Sequence, residues 1–323
     1  MREVHDGSDT GPGFIRPSRL LDEGERSQVY RAARAGQLVR LAPDVLIERT
    51  HLEARPPEAR HLLHIAAVWH RAQADEVLSH RSAAVAWGLP IYGGVPDRPE
   101  VTVASGVRRG SSRTFIRHRS DRPLLPELVH ERPVTGLART VADVATTRPF
   151  EEGVVVADAA LRLVAGPSAA GGDVHAVARL RRDVLSEIDA MRTNRGVARA
   201  RRVVEFADPG AQLPGESISR CTMLRLGCPL PRLQHRIESI GGRTYYLDFY
   251  WPGQRIGAEF DGMAKYIDER FVRGRSPRDV LRAEKGREDE VRLELVGFGR
   301  WGFDVARRAD MLGPLLRRIG LRW

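Results

Sequence analysis

Three carboxylates in one short stretch carry the most readable chemistry of this chain. Residues 245–266 run Tyr-Tyr-Leu-Asp-Phe-Tyr-Trp-Pro-Gly-Gln-Arg-Ile-Gly-Ala-Glu-Phe-Asp-Gly-Met-Ala-Lys-Tyr, with apolar and polar side chains alternating on either side of Pro252-Gly253-Gln254. That alternation predicts a β-hairpin. With Gly253-Gln254 as a two-residue type II′ loop, Trp251 pairs with Ile256 and Asp248 with Glu259. One face then carries Leu247, Phe249, Trp251, Ile256, Ala258 and Phe260. The other carries Tyr246, Asp248, Tyr250, Gly257, Glu259 and Asp261, three acids with no basic residue between them. Like charges set opposite each other destabilise a sheet. A divalent cation relieves that repulsion, and Mg²⁺ prefers such an all-oxygen site. Gly257 leaves open space beside Asp248, and Gly262 ends the strand. The competing reading is a hairpin whose acids merely face solvent.

A second signal is the near absence of lysine. Of the 52 basic residues only Lys265 and Lys285 are lysines; the others are arginines. Lysine is a compact point charge whose pKa falls on burial, whereas guanidinium stays protonated. Lys265 follows Asp261 closely, so it is a candidate for proton handling beside the acids. Its survival by chance is the alternative.

The 323 residues suffice for two or three domains, and a hydrophobic content of 42% is ample for a core. The net charge of +10 and a pI near 10.4 favour a polyanionic partner, most simply DNA. A genome-level arginine bias would produce part of the same charge. Cys221 and Cys228 have no CxxC or His partner at metal-ligand spacing and read as reduced packing residues of a cytoplasmic protein. No apolar run reaches the length of a membrane span, and the N-terminus has no signal-peptide pattern.

These residues need elements to position them. Pro17–Leu21 and Glu25–Ala35 predict two short helices around the turn Asp22-Glu23-Gly24, and Gln37–Ile47 a small β-wing. Val29, Tyr30 and Ala33 face inward, while Ser27, Gln28, Arg31 and Arg34 face out. Helix, turn, helix, wing is the order of a winged helix. Its second helix would enter the major groove, with Arg40 near phosphate. Residues 1–55 thus form a DNA-binding head, and 56–165 a mixed α/β region. Its His61, His64, His70 and His80 make no convincing ligand set. The Gly-rich 166–172 is the best interdomain linker, and an arginine-rich helical stretch follows to about 208. From 209, Glu216 opens a helix carrying Cys221, Leu224 and Leu226 toward the core. A helix over Arg278–Leu295, an edge strand at Gly299–Phe303 and a last helix, Ala306–Ile319, close the chain.

Leu247-Asp248-Phe249, Ala258-Glu259-Phe260-Asp261-Gly262 and Glu284-Lys285-Gly286-Arg287-Glu288-Asp289 resemble a bacterial domain similar to very-short-patch-repair endonucleases, of the PD-(D/E)XK nuclease fold. Upstream, the head, His80-Arg81-Ser82-Ala83-Ala84…Gly88-Leu89-Pro90 and Thr135-Gly136-Leu137-Ala138-Arg139-Thr140 resemble the abortive-infection, type IV toxin–antitoxin antitoxin family. The resemblance implies a mixed α/β chain with a PD-(D/E)XK domain at 209–323. It implies a Mg²⁺- or Mn²⁺-dependent endonuclease in defence or repair, with DNA and a cognate toxin or defence-system protein as partners. By that likeness Asp248 and Glu259 are metal ligands and catalytic acids and Glu216 completes the metal site, while Asp261 is a further metal candidate from its place on the acidic face. Asp261 stands where the nuclease motif has lysine. Lys265 would supply that amine, with Lys285 and Arg287 on the next helix as alternatives and as further DNA contacts. A non-catalytic, antitoxin-like DNA-binding regulator is the other function the resemblance implies.

Overall fold

A computed structural model of the chain describes residues 13–166, 172–191, 195–239, 242–262 and 290–323. The chain is mixed α/β and divides into two compact units. One is Met1–Val144 with Met191–Thr193; the other is Ala145–Ala190 with Asn194–Trp323. The Gly-rich 166–172 therefore joins two helices of the same unit rather than two units.

The first unit begins with α1 (Glu23–Arg34), capped by the Asp22 carboxylate on the Glu25 N–H at 3.0 Å. Gly36, at φ +75°, ends the helix as its glycine type suggests. The hairpin β1 (Leu38–Ala42) and β2 (Val45–Glu48) follows, turned at Asp44 with φ +64°. Next come α2 (Arg49–Glu53) and α3 (Pro57–Val68). Tyr30 departs from expectation. It is 43% exposed, and α1 has no fully buried residue, since only Arg26, Val29, Ala32 and Ala33 are partly buried.

A five-stranded sheet completes this unit. Its strands are β3 (Val77–Leu78), β4 (Glu100–Ala104), β5 (Ile116–Ser120), β6 (Pro126–Val129) and β7 (Arg132–Thr135), in the order β5-β4-β3-β7-β6. Helix α4 (His80–Ala86) springs directly from β3. Val45, Ile65, Leu78, Ala83, Val101, Phe115 and Val134 pack together as its core. The helix α5 (Leu137–Thr147) follows β7.

In the second unit, α6 (Phe150–Ala165), α7 (Val174–Asp189) and α8 (Val197–Phe206) pack on one another, and α9 (Pro214–Arg225) packs on α6. Residues 215–223 of α9 are all buried, because the helix is covered from several sides. Ile218 and Met223 fill the core there, while Leu224 is 38% exposed, against the expectation that it points inward. Asp158 of α6 ties the helices together. It accepts from the Asp208 N–H at 2.7 Å, Ser217 Oγ at 2.7 Å and Arg220 Nη1 at 3.0 Å.

The four-stranded sheet of this unit is ordered β11-β10-β9-β8. Its members are β8 (Arg232–Glu238), β9 (Thr244–Trp251), β10 (Ile256–Phe260) and β11 (Gly297–Trp301). The short α10 (Phe303–Ala306) and α11 (Ala309–Arg318) end the chain. The expected helix over Arg278–Leu295 is described only from residue 290, and residues 290–293 are helical.

Candidate functional site

The β9–β10 hairpin holds the expected register at its turn. Trp251 pairs with Ile256, Tyr250 with Gly257 and Phe249 with Ala258. The loop is not the type II′ turn that Gly253 suggests. Pro252–Gln254 make a 3-10 turn, and Arg255 takes the left-handed conformation at φ +51°. Proline's fixed φ suits the start of such a turn. Arg255 is held there by its side chain on the Glu294 carbonyl at 2.9 Å and by its own carbonyl accepting from the Val296 N–H at 2.9 Å.

Beyond Phe249 the regular ladder stops, and the cause is Asp248. Its Oδ2 accepts the Phe260 N–H at 2.8 Å, and its Oδ1 accepts from Gln234 Nε2 at 3.1 Å. Gln234, on the other flank, has φ +47°. The two irregularities sit side by side and turn the strand over. Phe249 stacks on Trp301 at 5.1 Å, but Leu247 packs with Ile237, Val291, Phe298, Tyr250 and Leu295. So Leu247 does not share the face of Phe249, as strict alternation requires. The open space expected at Gly257 is filled. A β-carbon there would lie 2.6 Å from Leu295 Cδ1 and 2.7 Å from Leu247 Cδ1.

Glu259 is nearly buried, at 7% exposure. Its neighbour on β11 is Arg300, in parallel register, and Arg300 Nη2 donates to Glu259 Oε2 at 2.6 Å. The acidic face thus does contain a basic residue, contrary to the sequence expectation. Arg300 was invisible to that reading because it lies far along the chain and meets Glu259 only through a parallel crossover pairing. A strand at Gly299–Phe303 was legible; its partner was not.

Glu216 is buried in the first turn of α9, where its Oε2 accepts the Gln212 N–H at 2.8 Å. Gly215 beside it lies against the Phe260 ring, and any β-carbon there would collide with that ring. Asp261, half-buried, follows β10, and its N–H donates to the Trp301 carbonyl at 2.8 Å. The Asp248 carboxylate therefore reaches the backbone of the residue after Glu259, and the start of α9 packs on that same residue. Among the described residues, no group of three or more His, Cys, Asp or Glu has metal-binding geometry. Lys265, Lys285 and Arg287 lie outside the described residues.

In the head, Ser27, Gln28, Arg31, Arg34 and Arg40 are all exposed. The first four project from α1 and Arg40 from β1, opposite Leu46 in the hairpin register. Arg31 and Arg34 lie in the last turn of α1, where cations favour the helix dipole.

The first unit also holds a buried polar cluster that motif reading did not foresee. His80, at φ +52°, stacks on His118 with ring centroids 3.5 Å apart. Asp143 Oδ2 lies 3.9 Å from His80 Nδ1, and Glu100 Oε1 lies 3.9 Å from His118 Nε2. Arg81 pairs with Glu100 at 3.2 Å and Arg139 with Asp143 at 2.7 Å. His61 Nε2 meets Ser82 Oγ at 2.8 Å. The motifs His80-Arg81-Ser82 and Arg139-Thr140 thus converge as a packed network.

Both cysteines are free and buried, and burial pushes both thiols up, Cys228 to about 11. Thiols held so far from ionisation are inert packing groups, as their spacing suggests. No described helix is long and apolar enough to cross a membrane.

No family model matches the chain. It is 35% identical over 146 residues to uncharacterized protein MT2308 of Mycobacterium tuberculosis (strain CDC 1551 / Oshkosh), and equally to uncharacterized protein Rv2248 of the H37Rv strain. Each match covers 44% of this chain and 52% of the relative, so the chain spans about half the length of the curated relatives it matches. Among solved structures, the RV2827C protein from Mycobacterium tuberculosis aligns with a TM-score of 0.32 and 16% identity, over 70% of this chain and 83% of that one.

Proposed function

We propose that this chain is a DNA-binding protein whose C-terminal region is a Mg²⁺-dependent endodeoxyribonuclease of the PD-(D/E)XK type, acting in defence or repair. The observation that carries this reading is the junction of Asp248 and Glu259. Asp248 abandons the ladder to bring its carboxylate to the Phe260 N–H, directly after Glu259, in a sheet whose end is packed by the helix of Glu216. A strand irregularity that re-aims a side chain is a common device at active sites.

A hard cation favours carboxylate oxygens, and this reading assigns it to Asp248 and Glu259. Mg²⁺ is commonly held by one or two carboxylates, with water and substrate phosphate filling the remaining positions. In this reading Asp248 and Glu259 would supply two, with Asp261 two residues further along the chain. Bound there, the ion would lower the pKa of a water and offset charge on the scissile phosphate. The chain's own residues do the rest. Gln234 and the Phe260 N–H fix the Asp248 carboxylate. Glu216 fixes the start of α9 by accepting the Gln212 N–H. Lys265 would orient or deprotonate the attacking water, with Lys285 and Arg287 as alternative cations. In this reading the head is a winged helix that presents Ser27, Gln28, Arg31 and Arg34 to the major groove and Arg40 to phosphate.

One observation favours a second reading, a non-catalytic antitoxin-like regulator with a cognate toxin or defence protein as partner. Arg300 already neutralises Glu259, and Asp261 occupies the motif's lysine position. Incubating the purified protein with plasmid and with single-stranded DNA, in Mg²⁺, Mn²⁺ or EDTA, separates the two. Metal-dependent cleavage supports the nuclease. DNA binding without cleavage in any metal supports the regulator.

A further inference from the structure

Glu259 is held by Arg300 in a way that leaves the guanidinium little freedom to be incidental. Both residues sit at the same level of a parallel ladder, so the pairing is built into the sheet. The strand beneath Arg300 is anchored on either side. Phe298 packs into the cluster of Leu247 and Val291, and Trp301 is buried with its Nε1 on Ser219 Oγ at 2.9 Å. These contacts keep Arg300 in register with Glu259, where the two form a 2.6 Å ion pair. The Arg300 side chain keeps 23% of its surface exposed while that of Glu259 keeps only 9%, so the cation lies on the solvent side of the acid.

A nearly buried carboxylate needs a counter-charge at all times, because an unpaired charge in that position is strongly destabilising. Arg300 already takes Oε2 of Glu259, and its positive charge beside the carboxylate disfavours a second cation there. We propose that Arg300 is the positioning residue of this site. It holds Glu259 in place while no divalent ion is bound, competes with that ion for the acid, and turns its fork to DNA phosphate when displaced. The inference rests on Asp248 and Glu259 being a cation site. Arginine suits this exchange, since the same planar donor set matches carboxylate and phosphate alike.

The test is Mn²⁺ titration of the full chain by calorimetry, with DNA affinity measured in EDTA and after Mn²⁺ saturation. Arg300→Gln removes the competitor and should tighten Mn²⁺ binding several-fold. Arg300→Lys restores a cation and should return Mn²⁺ affinity close to that of the unaltered chain. Arg300→Gln should also weaken DNA binding in Mn²⁺ more than in EDTA. If Mn²⁺ affinity is the same with Arg, Gln and Lys at 300, Arg300 does not compete, and the proposal is overturned. Equal tightening by Gln and Lys overturns it too, because loss of packing rather than of charge would then be responsible. Asp248→Asn and Glu259→Gln report separately on the underlying site. If the unaltered chain binds Mn²⁺ and neither change weakens it, the cation-site reading falls, and this inference with it.

Discussion

The imidazoles of His80 and His118 stack within 18° of parallel, and each faces a carboxylate, Asp143 for His80 and Glu100 for His118. Burial holds His80 near a pKa of about 4, with Asp143 only partly opposing it; burial likewise holds His61 at about 4. Glu100 behaves in the opposite sense. Burial pushes its carboxyl up, but His118, His80 and Arg81 outweigh that and hold it at about 2. All three pKa values are depressed in the folded state, so the unfolded chain binds more protons and stability rises with pH. The histidine contribution is complete above the ordinary 6.5 and is lost as pH falls toward 4; that of Glu100 is lost between 4.5 and 2. Acidifying from pH 7 to 5 should cost about 1–2 kcal/mol for each of the two histidines. Thermal melts across that range should show it. His80→Asn, which keeps a residue tolerant of the left-handed backbone, should flatten the slope. A melting temperature indifferent to pH in this window would contradict the assignment.

Asp158 and Arg220 form the corresponding joint in the second unit. Burial lifts Asp158 to about 6, against the pull of Arg220 and of the Ser217 hydroxyl. Arg220 also donates to the Phe206 carbonyl at 2.6 Å and lies over the Phe206 ring. Asp158→Ala strands a buried guanidinium and should cost about 3–5 kcal/mol in urea denaturation. Replacing both residues with apolar side chains of similar volume should cost less than either single change, since no charge is then left unpaired.

Periodicity made most helices and the β9–β10 hairpin legible, with its register near the turn, but not the strands β3, β6, β7 and β8. What alternation could not show is where it breaks. Asp248 and Gln234 turn β9 over, and this depends on a side chain replacing a ladder bond across strands. Arg300 was hidden because parallel pairing joins distant segments. The +10 charge was equally ambiguous from sequence. Arg181 donates to the Val204 and Ala207 carbonyls, and Arg199 to Thr146 at the end of α5. Arg181 and Arg199 thus cap helix ends rather than facing a polyanion.

Gly257 gives a sharp test of the packing that replaced the expected opening. Leu247 and Leu295 close over it from two directions. Gly257→Ala should cost about 1–3 kcal/mol by overpacking. Leu295→Ala on the same background should recover part of that loss. Gly257→Ala without any loss of stability would mean that the cluster yields easily.

The head makes a separable claim about binding. Arg31→Ala, Arg34→Ala and Arg40→Ala should each weaken DNA affinity and lower the slope of log K against log salt by roughly 0.9 per phosphate contact removed. Fluorescence anisotropy at several salt concentrations reads both quantities. Unchanged affinity and slope in all three variants would exclude the head as the DNA-binding element, and leave Arg31 and Arg34 as groups that only complement the α1 dipole.

Catalysis and binding are separated at the acids. Asp248→Asn and Glu259→Gln keep side-chain shape while removing negative charge. Both should abolish metal-dependent cleavage. DNA binding should stay intact or tighten slightly, because repulsion of phosphate falls. Asn at 248 can still accept the Phe260 N–H, so the strand irregularity survives and loss of activity reports on charge rather than on folding. Glu259→Gln leaves Arg300 without its acid, so its stability should be checked by a thermal melt alongside. Lys265→Arg keeps a cation but loses the compact amine. If Lys265 handles a proton, this change should lower the cleavage rate far more than it lowers affinity. If Lys265 is a chance survivor among arginines, cleavage should continue unchanged. Equal cleavage by the unaltered protein and by Asp248→Asn would trace the activity to a contaminating nuclease, and the regulator reading would then stand ahead.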